Sequence, residues 1–281
     1  MKHLVIALLR LKFFILSYVA PKQAVNSATT LFFTPRRHAP RAQEEAIKKD
    51  AIKHTLDDGT VYYEWGEGEP ILFIHGWEGR ATQVCAMLSP LVNAGFKVYA
   101  VDAPAHGDSS GDKSHPGFFV STLFALEEKI GAFHTIIGHS MGGGSATYAI
   151  TQGLKTKKVV TIAGPSNFHD VVKSFVDFIG LQGKAKSLFM AFVAEEVGIP
   201  YAQIATNKLS DATQVLVLHD EDDREIPVKH ALAYKDDALV KIHISKGLGH
   251  RKILYTNEAI SVVVDFIRQD FSHSHSLNRC S

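Results

Sequence analysis

The sequence predicts an α/β fold, in which a mostly parallel central sheet is covered by helices on both faces. Three observations lead to this expectation. Short, apolar, β-branched runs alternate with helical patterns along most of the 281 residues. One of these runs leads into a sharp, glycine-rich turn and then into a helical pattern of small residues. The alternation is interrupted only once, between residues 164 and 214, which predicts a small helical insertion.

The composition is that of one large domain with a sizeable core. Hydrophobic residues make up 46% of the chain and charged residues 21%, and the net charge of +1 argues against nucleic acid as a partner. The charge is uneven, because residues 1–53 hold ten Lys or Arg against three acids, a balance of +7. The two cysteines, Cys85 and Cys280, have no metal-ligand spacing and predict no disulfide framework, as in a reducing cytoplasm.

Residues 1–33 predict an apolar and basic helical segment. A bilayer span needs about 20 apolar residues, and two basic residues interrupt the apolar stretch here. His3, Arg10 and Ser17 are spaced to share one narrow polar face of a helix. Two alternatives follow. The helix packs on the domain, or residues 1–22 lie on a membrane surface, where the positive charge attracts anionic headgroups.

The main domain follows in order. Prolines and arginines predict a linker over residues 34–53, and Asp58-Gly59 predicts the turn of a hairpin. Residues 54–163 and 215–272 are expected to form the α/β core, and residues 273–281 a tail. Strands are predicted at 71–74, 97–101, 135–137, 159–163, 215–218 and 240–244.

Residues 164–214 are too long for a plain strand-helix-strand crossover and carry Phe-rich helical patterns. We expect them to form a helical cap above the carboxyl ends of the strands, where active sites of such sheets lie. The Phe stripe includes Phe168 and Phe175. It is consistent with core packing and with lining a substrate pocket, and one amphipathic helix can serve both roles.

The segment Gly138-His139-Ser140-Met141-Gly142 carries the most specific chemical signal. It follows a predicted strand and precedes a helical pattern, so Ser140 lies at the apex of a strand-turn-helix elbow. A serine hydroxyl becomes a good nucleophile when a base takes its proton and donors stabilise the oxyanion. Of the fifteen histidines we favour His250 as the base, because it lies in a glycine-rich loop between the last strand and the final helix. A surface-loop histidine is the alternative.

The base needs a carboxylate that fixes its tautomer. Asp220, Asp222 and Asp223 all follow the strand 215–218, and we favour Asp223. A solvated or helix-capping role is the alternative for the other carboxylates of this loop.

The expected oxyanion donors are two backbone N–H groups. One belongs to Met141, directly after the serine, and the other to Trp77, in the loop after the strand 71–74. The ring of Trp77 is also a candidate wall of the substrate pocket. His75, in the same loop, is expected to bond the loop backbone rather than to act as a second base.

Through these motifs the chain resembles the serine-nucleophile enzymes of the α/β-hydrolase fold over about residues 54–270. The order Ser140, Asp223, His250 is the order of that family. One loop resembles the family pattern D-x-P-G-H-G-x-S, with Ala105 in place of the usual glycine, for which we expect a mild effect on the backbone. The matching stretches are His75-Gly76-Trp77, 102–109, 138–142, 220–223 and Gly249-His250.

The resemblance implies a carboxylesterase-like hydrolase that forms an acyl-enzyme on Ser140 and cleaves small-molecule esters. The Phe-rich insertion indicates that the ester carries an apolar acyl or aryl group. It implies no metal and no organic cofactor. A thioesterase, C–C bond hydrolase, acyltransferase or cofactor-free haloperoxidase would use the same residues, whereas dehalogenases and epoxide hydrolases of this fold use an aspartate nucleophile. A non-catalytic ligand-binding protein is the alternative from another class. The expected location is the cytoplasm, or the inner face of the membrane.

Overall fold

A computed structural model describes residues 2–198, 213–236 and 240–269. In these residues the strands are β1 (Ile52–Thr55), β2 (Val61–Trp65), β3 (Glu69–Ile74), β4 (Phe96–Asp102), β5 (Phe133–His139), β6 (Thr156–Ile162), β7 (Gln214–Asp220) and β8 (Val240–Ser245). They form one sheet in the order β1-β2-β4-β3-β5-β6-β7-β8. The pairs β1–β2 and β2–β4 are antiparallel and the others are parallel, so the predicted mostly parallel sheet is confirmed.

Helices cover both faces of this sheet. They are α1 (Lys2–Val19), α2 (Pro21–Phe33), α3 (Ala42–Lys49), α4 (Cys85–Asn93), α5 (Pro116–Ile130), α6 (Met141–Thr151), α7 (Phe168–Ile179), α8 (Gly183–Val197), α9 (Lys229–Leu232), α10 (Gly249–Lys252) and α11 (Asn257–Arg268). Because alternate side chains of a strand point to opposite faces, Leu72 packs with α5 to α8 and Phe73 packs with α4 and α11.

Residues 2–33 form two helices rather than one. Pro21 begins α2 directly after α1 ends, a position where a missing N–H costs no helical hydrogen bond. Phe13 and Ala24 are buried in the same cluster as α7 and α8, so the segment packs on the cap. Ser17, one of the three residues of the predicted narrow polar face, is buried. Its hydroxyl donates to the carbonyl of Phe13 and accepts from the N–H of Gln182 at 3.0 Å.

The prediction of a linker over residues 34–53 is corrected by the structure. This stretch contains α3 and the start of β1, and its side chains are bound to the main domain. Arg37 donates to the carbonyl oxygens of Gly107, Ser109 and Gly111. The composition of this stretch is typical of a linker, but the hydrogen bonds that hold it join Arg37 to a loop about 70 residues away in the sequence.

The cap begins as expected, because α7 and α8 lie within residues 164–214. Residues 199–212 of the predicted cap, the predicted tail at 273–281 and Cys280 lie outside the described residues. Of the helices that the structure does describe, none is both long enough and apolar enough to cross a membrane.

Candidate active site

Ser140 lies at a sharp turn between β5 and α6. Its backbone has φ of 51° and ψ of −120°, a conformation that a non-glycine residue adopts at a cost of about 1–3 kcal/mol and that is common at functional sites. Small neighbours make the turn possible, because a Cβ on Gly142 would collide with the carbonyl oxygen of Ile74. The predicted elbow therefore has its structural basis in glycines that allow strand and helix to approach closely.

The structure brings Ser140, His250 and Asp223 together. His250 Nε2 lies 2.9 Å from Ser140 Oγ, and His250 Nδ1 lies 2.7 Å from Asp223 Oδ2. The other oxygen of Asp223 accepts the N–H groups of Glu225 and Ile226, at 2.8 and 2.9 Å. Burial raises the pKa of Asp223, but the hydrogen bonds from His250 and the backbone outweigh it, so this pKa lies below its ordinary value. An ionised Asp223 holds the proton of His250 on Nδ1 and leaves Nε2 as the acceptor facing the serine.

Two other carboxylates of the same loop hold the backbone around His250. Asp220 is fully buried and accepts the N–H groups of Leu248 and Gly249, at 3.1 and 2.8 Å. Asp222 accepts the N–H of Gly247 at 3.0 Å. A solvated role is therefore wrong for Asp220, whereas a helix-capping role agrees with the structure, because Leu248 and Gly249 are the N-cap and the first residue of α10. Asp220 ends β7 and its partners follow β8, so its role depends on the pairing of these two strands, which no local sequence pattern indicates.

His139 holds the backbone of His250, a role that the sequence analysis did not predict. Its Nε2 donates to the carbonyl oxygen of His250 at 2.9 Å. Burial lowers the pKa of His139 to about 3, so the ring is neutral. The position directly before the serine was the only signal available for it.

The loop after β3 lies against the serine, because a Cβ on Gly76 would come within 2.8 Å of Ser140 Cβ. The backbone N–H groups of Trp77, in this loop, and of Met141, at the first position of α6, donate no hydrogen bond to any residue that the structure describes. Helix-terminal and turn N–H groups of this kind are available to an anion.

Two sets of contacts fix this loop. His75 is buried, its Nδ1 donates to the carbonyl of Gly76 at 2.6 Å and its Nε2 accepts from Ala103 at 3.0 Å, as its expected structural role requires. Glu78, with φ of 56°, accepts from Arg36 Nε at 2.8 Å and from His38 at 3.2 Å. Burial raises the pKa of Glu78, but these hydrogen bonds outweigh it and lower the pKa to about 2.

Ala105 adopts a φ of 65°, in the left-handed region that favours glycine. This explains why glycine is the usual residue in the family pattern. An alanine there costs about 1–2 kcal/mol, and its loop is anchored instead by Asp102, which accepts the N–H groups of Ala81 and Asp108 at 2.6 and 2.7 Å.

A cavity of about 230 Å³, here called the apolar pocket, opens on Ser140 and His250. Trp77 and Phe175, two of the three predicted pocket residues, line it. Phe168 does not line it, which corrects the prediction: the side chain is only 2% exposed and packs in the core. The other apolar residues that line it include Leu31, Phe32 and Val171.

The sequence did not indicate Leu31 and Phe32, because they belong to α2, outside the predicted core. Their place in the pocket results from the packing of α2 along α8. Within the described ranges, no group of three or more His, Cys, Asp or Glu side chains is arranged to hold a metal ion.

The comparisons with known proteins agree with this architecture. The family model described as "Alpha/beta hydrolase family" matches residues 71–259. A non-heme haloperoxidase from Rhodococcus erythropolis is 34% identical over 105 residues, which cover 35% of this chain and 38% of that protein. Human protein ABHD12B is 25% identical over 232 residues, covering 73% of this chain and 62% of that protein. The chain thus spans less than two thirds of these curated relatives.

Solved structures show the same fold. The esterase Pf2001 from Pyrococcus furiosus superposes with a TM-score of 0.60 at 18% identity, covering 83% of this chain and 98% of that one. An esterase from Exiguobacterium antarcticum gives a TM-score of 0.57 at 15% identity, covering 77% and 99%. With a family model that matches most of the chain and a sheet of the same architecture, this chain belongs to the alpha/beta hydrolase family.

Proposed function

We propose that the protein is a serine hydrolase that cleaves carboxylic esters of apolar acyl or aryl groups through an acyl-enzyme on Ser140. One observation carries the proposal. A continuous hydrogen-bonded array from Asp223 through His250 to Ser140 opens on a pocket with apolar walls. The array supports nucleophilic catalysis, and the walls support an apolar group beside the ester carbonyl.

In the first half of the reaction, Ser140 Oγ attacks the ester carbonyl carbon while His250 Nε2 takes the hydroxyl proton. Asp223 stabilises the imidazolium that forms. The carbonyl oxygen becomes an oxyanion, and the N–H groups of Trp77 and Met141 donate to it. Removing one such donor typically costs about 3–4 kcal/mol of transition-state stabilisation. His250 then protonates the leaving oxygen, the C–O bond breaks, and the alcohol departs.

In the second half, a water molecule takes the place of the alcohol. His250 removes its proton as the water attacks the acyl carbon, and the same two N–H groups hold the second oxyanion. His250 returns the proton to Ser140 Oγ when the acyl bond breaks. The carboxylic acid is released, and the chain needs no cofactor for any step.

The relatives named as haloperoxidases favour a second candidate. In it, hydrogen peroxide attacks the acyl group on Ser140 instead of water, which releases a peracid and regenerates the serine. The peracid oxidises a halide ion and is itself reduced to the carboxylic acid. Halide oxidation that needs both peroxide and a carboxylic acid, and that Ser140→Ala abolishes, would support it.

The proposal is tested with a fluorophosphonate probe and with p-nitrophenyl esters from acetate to palmitate. We expect the wild-type protein to be labelled and to hydrolyse esters of medium or long chains best. Ser140→Ala should remove both properties. Ser145→Ala is the control, because it removes a hydroxyl from α6 and leaves the turn at Ser140 intact, and it should keep both properties. A wild-type protein that neither reacts with the probe nor hydrolyses any ester would favour the ligand-binding alternative.

A further inference from the structure

A second cavity, of about 120 Å³, lies beside Ser140 and is here called the polar pocket. It shares Trp77, Ser140, Glu225 and His250 with the apolar pocket, so both cavities border the reacting atoms. An ester has two parts, joined at the carbonyl group. When the apolar acyl part occupies one cavity, the leaving alcohol has the other available to it.

The walls of the polar pocket differ from those of the apolar one in charge. Glu225 pairs with Arg251 at 3.4 Å, and Glu78 is bound by Arg36 and His38. These two carboxylates are therefore balanced by cations. Arg41 also lines the pocket.

Arg41 is the cation of this pocket that no carboxylate balances within the described residues. Its guanidinium lies 4.9 Å from the ring centroid of Tyr255, and it forms no ion pair there. The nearby Glu44 is turned to other groups: it accepts the backbone N–H of Arg41 and lies 3.8 Å from Arg80. An arginine fork of this kind matches a carboxylate or phosphate by paired hydrogen bonds.

Two buried polar atoms on the wall are further evidence for a polar occupant. His139 Nδ1 and Gln83 Oε1 both belong to residues that line this pocket, and neither has a hydrogen-bond partner in the part of the chain that the structure describes. His139 is only 5% exposed. Both atoms accept hydrogen bonds, because the neutral His139 ring carries its proton on Nε2. Buried polar atoms are nearly always paired, so the site suits a ligand part that donates hydrogen bonds, such as a hydroxyl, whereas the anionic group is assigned by Arg41 alone.

We infer that the polar pocket binds the alcohol part of the substrate and that this alcohol carries an anionic group, a carboxylate or a phosphate, held by Arg41. The inference rests on the proposed ester hydrolysis and adds the substrate class. It also assigns a role to residues 34–53, the stretch predicted as a linker, because Arg41 lies there, directly before α3.

The test uses one acyl chain joined to three alcohols of similar length: a neutral diol, a hydroxycarboxylate and a hydroxyalkyl phosphate. In the wild-type protein we expect kcat/KM for an anionic ester to exceed that for the neutral ester by about tenfold, as expected for a hydrogen bond to a charged group. Which anion is preferred identifies the group. The preference should also weaken as salt is added.

Arg41→Gln should abolish the preference and Arg41→Lys should retain part of it. Lys49→Gln is the matched control, because it removes the same charge from α3 at an exposed position outside the pocket. Equal kcat/KM for all three esters in the wild-type protein would overturn the inference, and so would an equal loss in Lys49→Gln. Both results leave ester hydrolysis standing. Hydrolysis of none of the esters would instead contradict the proposed function, and the inference with it.

Discussion

The sheet and the N-terminal segment, residues 2–49, build the site in different ways. The sheet supplies Ser140, Asp223 and His250 at or just after the ends of β5, β7 and β8, and short loops hold them in place. The N-terminal segment supplies Phe32, Arg36 and Arg41, which reach the site from outside the sheet. The reactive groups therefore lie at the ends of the strands. In the N-terminal segment, Phe32 lines the apolar pocket, Arg36 holds Glu78 in the oxyanion loop, and Arg41 lines the polar pocket.

This comparison predicts that changes on the sheet side abolish the chemistry and that changes on the N-terminal side tune it. The largest effect is expected for Asp223→Asn, which removes the anion that fixes the tautomer of His250. Such a change lowers kcat by about ten-thousandfold in a related array. The measurement is kcat for a p-nitrophenyl ester, with the far-ultraviolet circular dichroism spectrum as the check of folding.

Asp222→Asn is the control for that variant, since the Asp222 side chain accepts a hydrogen bond from the loop backbone at Gly247 and lies in the same loop as Asp223. We expect it to lower kcat by less than about tenfold. Equal losses in the two variants would mean that Asp223 acts by holding the loop rather than by orienting the imidazole.

A smaller effect is expected where the N-terminal segment braces the oxyanion loop. Glu78→Gln removes the ion pair with Arg36 next to Trp77. We expect kcat to fall by about tenfold and KM to change little, because an oxyanion donor acts mainly in the transition state. Glu221→Gln is the matched control, as Glu221 is an exposed carboxylate paired with Lys246. A change confined to KM would contradict the brace and indicate a role in substrate binding.

The same pair makes folding stability depend on pH. The pKa of Glu78 in the folded protein is about 2, below its ordinary value of 4.5, so the folded state favours the ionised form. The stabilisation is therefore present above about pH 4.5 and is lost as the pH falls toward 2. Urea unfolding at several pH values should show wild-type stability falling more steeply over this range than that of Glu78→Gln. Parallel curves would exclude a contribution from this pair.

Much of the sheet side could be predicted from the sequence because its rules are local. The turn at Ser140 needs small residues on both sides, and the loops with Asp223 and His250 follow apolar runs that only strands explain. Even there, the separate role of Asp220 was missed, since it depends on which loop lies opposite in the folded sheet. The cap was predicted as helical, but which of its phenylalanines lines the pocket depends on the helix rotation.

The N-terminal side could not be predicted in the same way. Arg36 binds a residue 42 positions away, and nothing around Thr34-Pro35 indicates that partner. Residues 34–53 therefore have the composition of a linker, although their arginines hold loops of the main domain in place. Phe32 and Arg41 are further examples, because their places in the two pockets follow from how α2 and α3 pack on the domain.

The outer face of α1 leads to the smallest expected effect. Eight apolar side chains there are 48–72% exposed, with Lys12 among them: Leu4, Val5, Leu8, Leu11, Phe14, Ile15, Tyr18 and Val19. An exposed apolar surface this broad is typical of an interaction site. Residues 1–33 hold four basic residues and no acid, so we propose that the face contacts an anionic membrane surface.

Point substitutions test this better than a deletion, because α1 and α2 bury Phe13 and Ala24 in the cap and their removal would expose its core. Replacing Leu8 and Leu11 with Gln should weaken binding to vesicles containing phosphatidylglycerol by about fivefold or more, through lost apolar burial. Ile52→Gln, an equally exposed apolar position on β1, should bind as the wild-type protein does. If the wild-type chain does not sediment with these vesicles, the face does not bind this membrane surface. If the chain instead forms a dimer that the same leucine substitutions dissociate, the face binds a second copy of the chain. The N-terminal segment would then shape the active site without anchoring it.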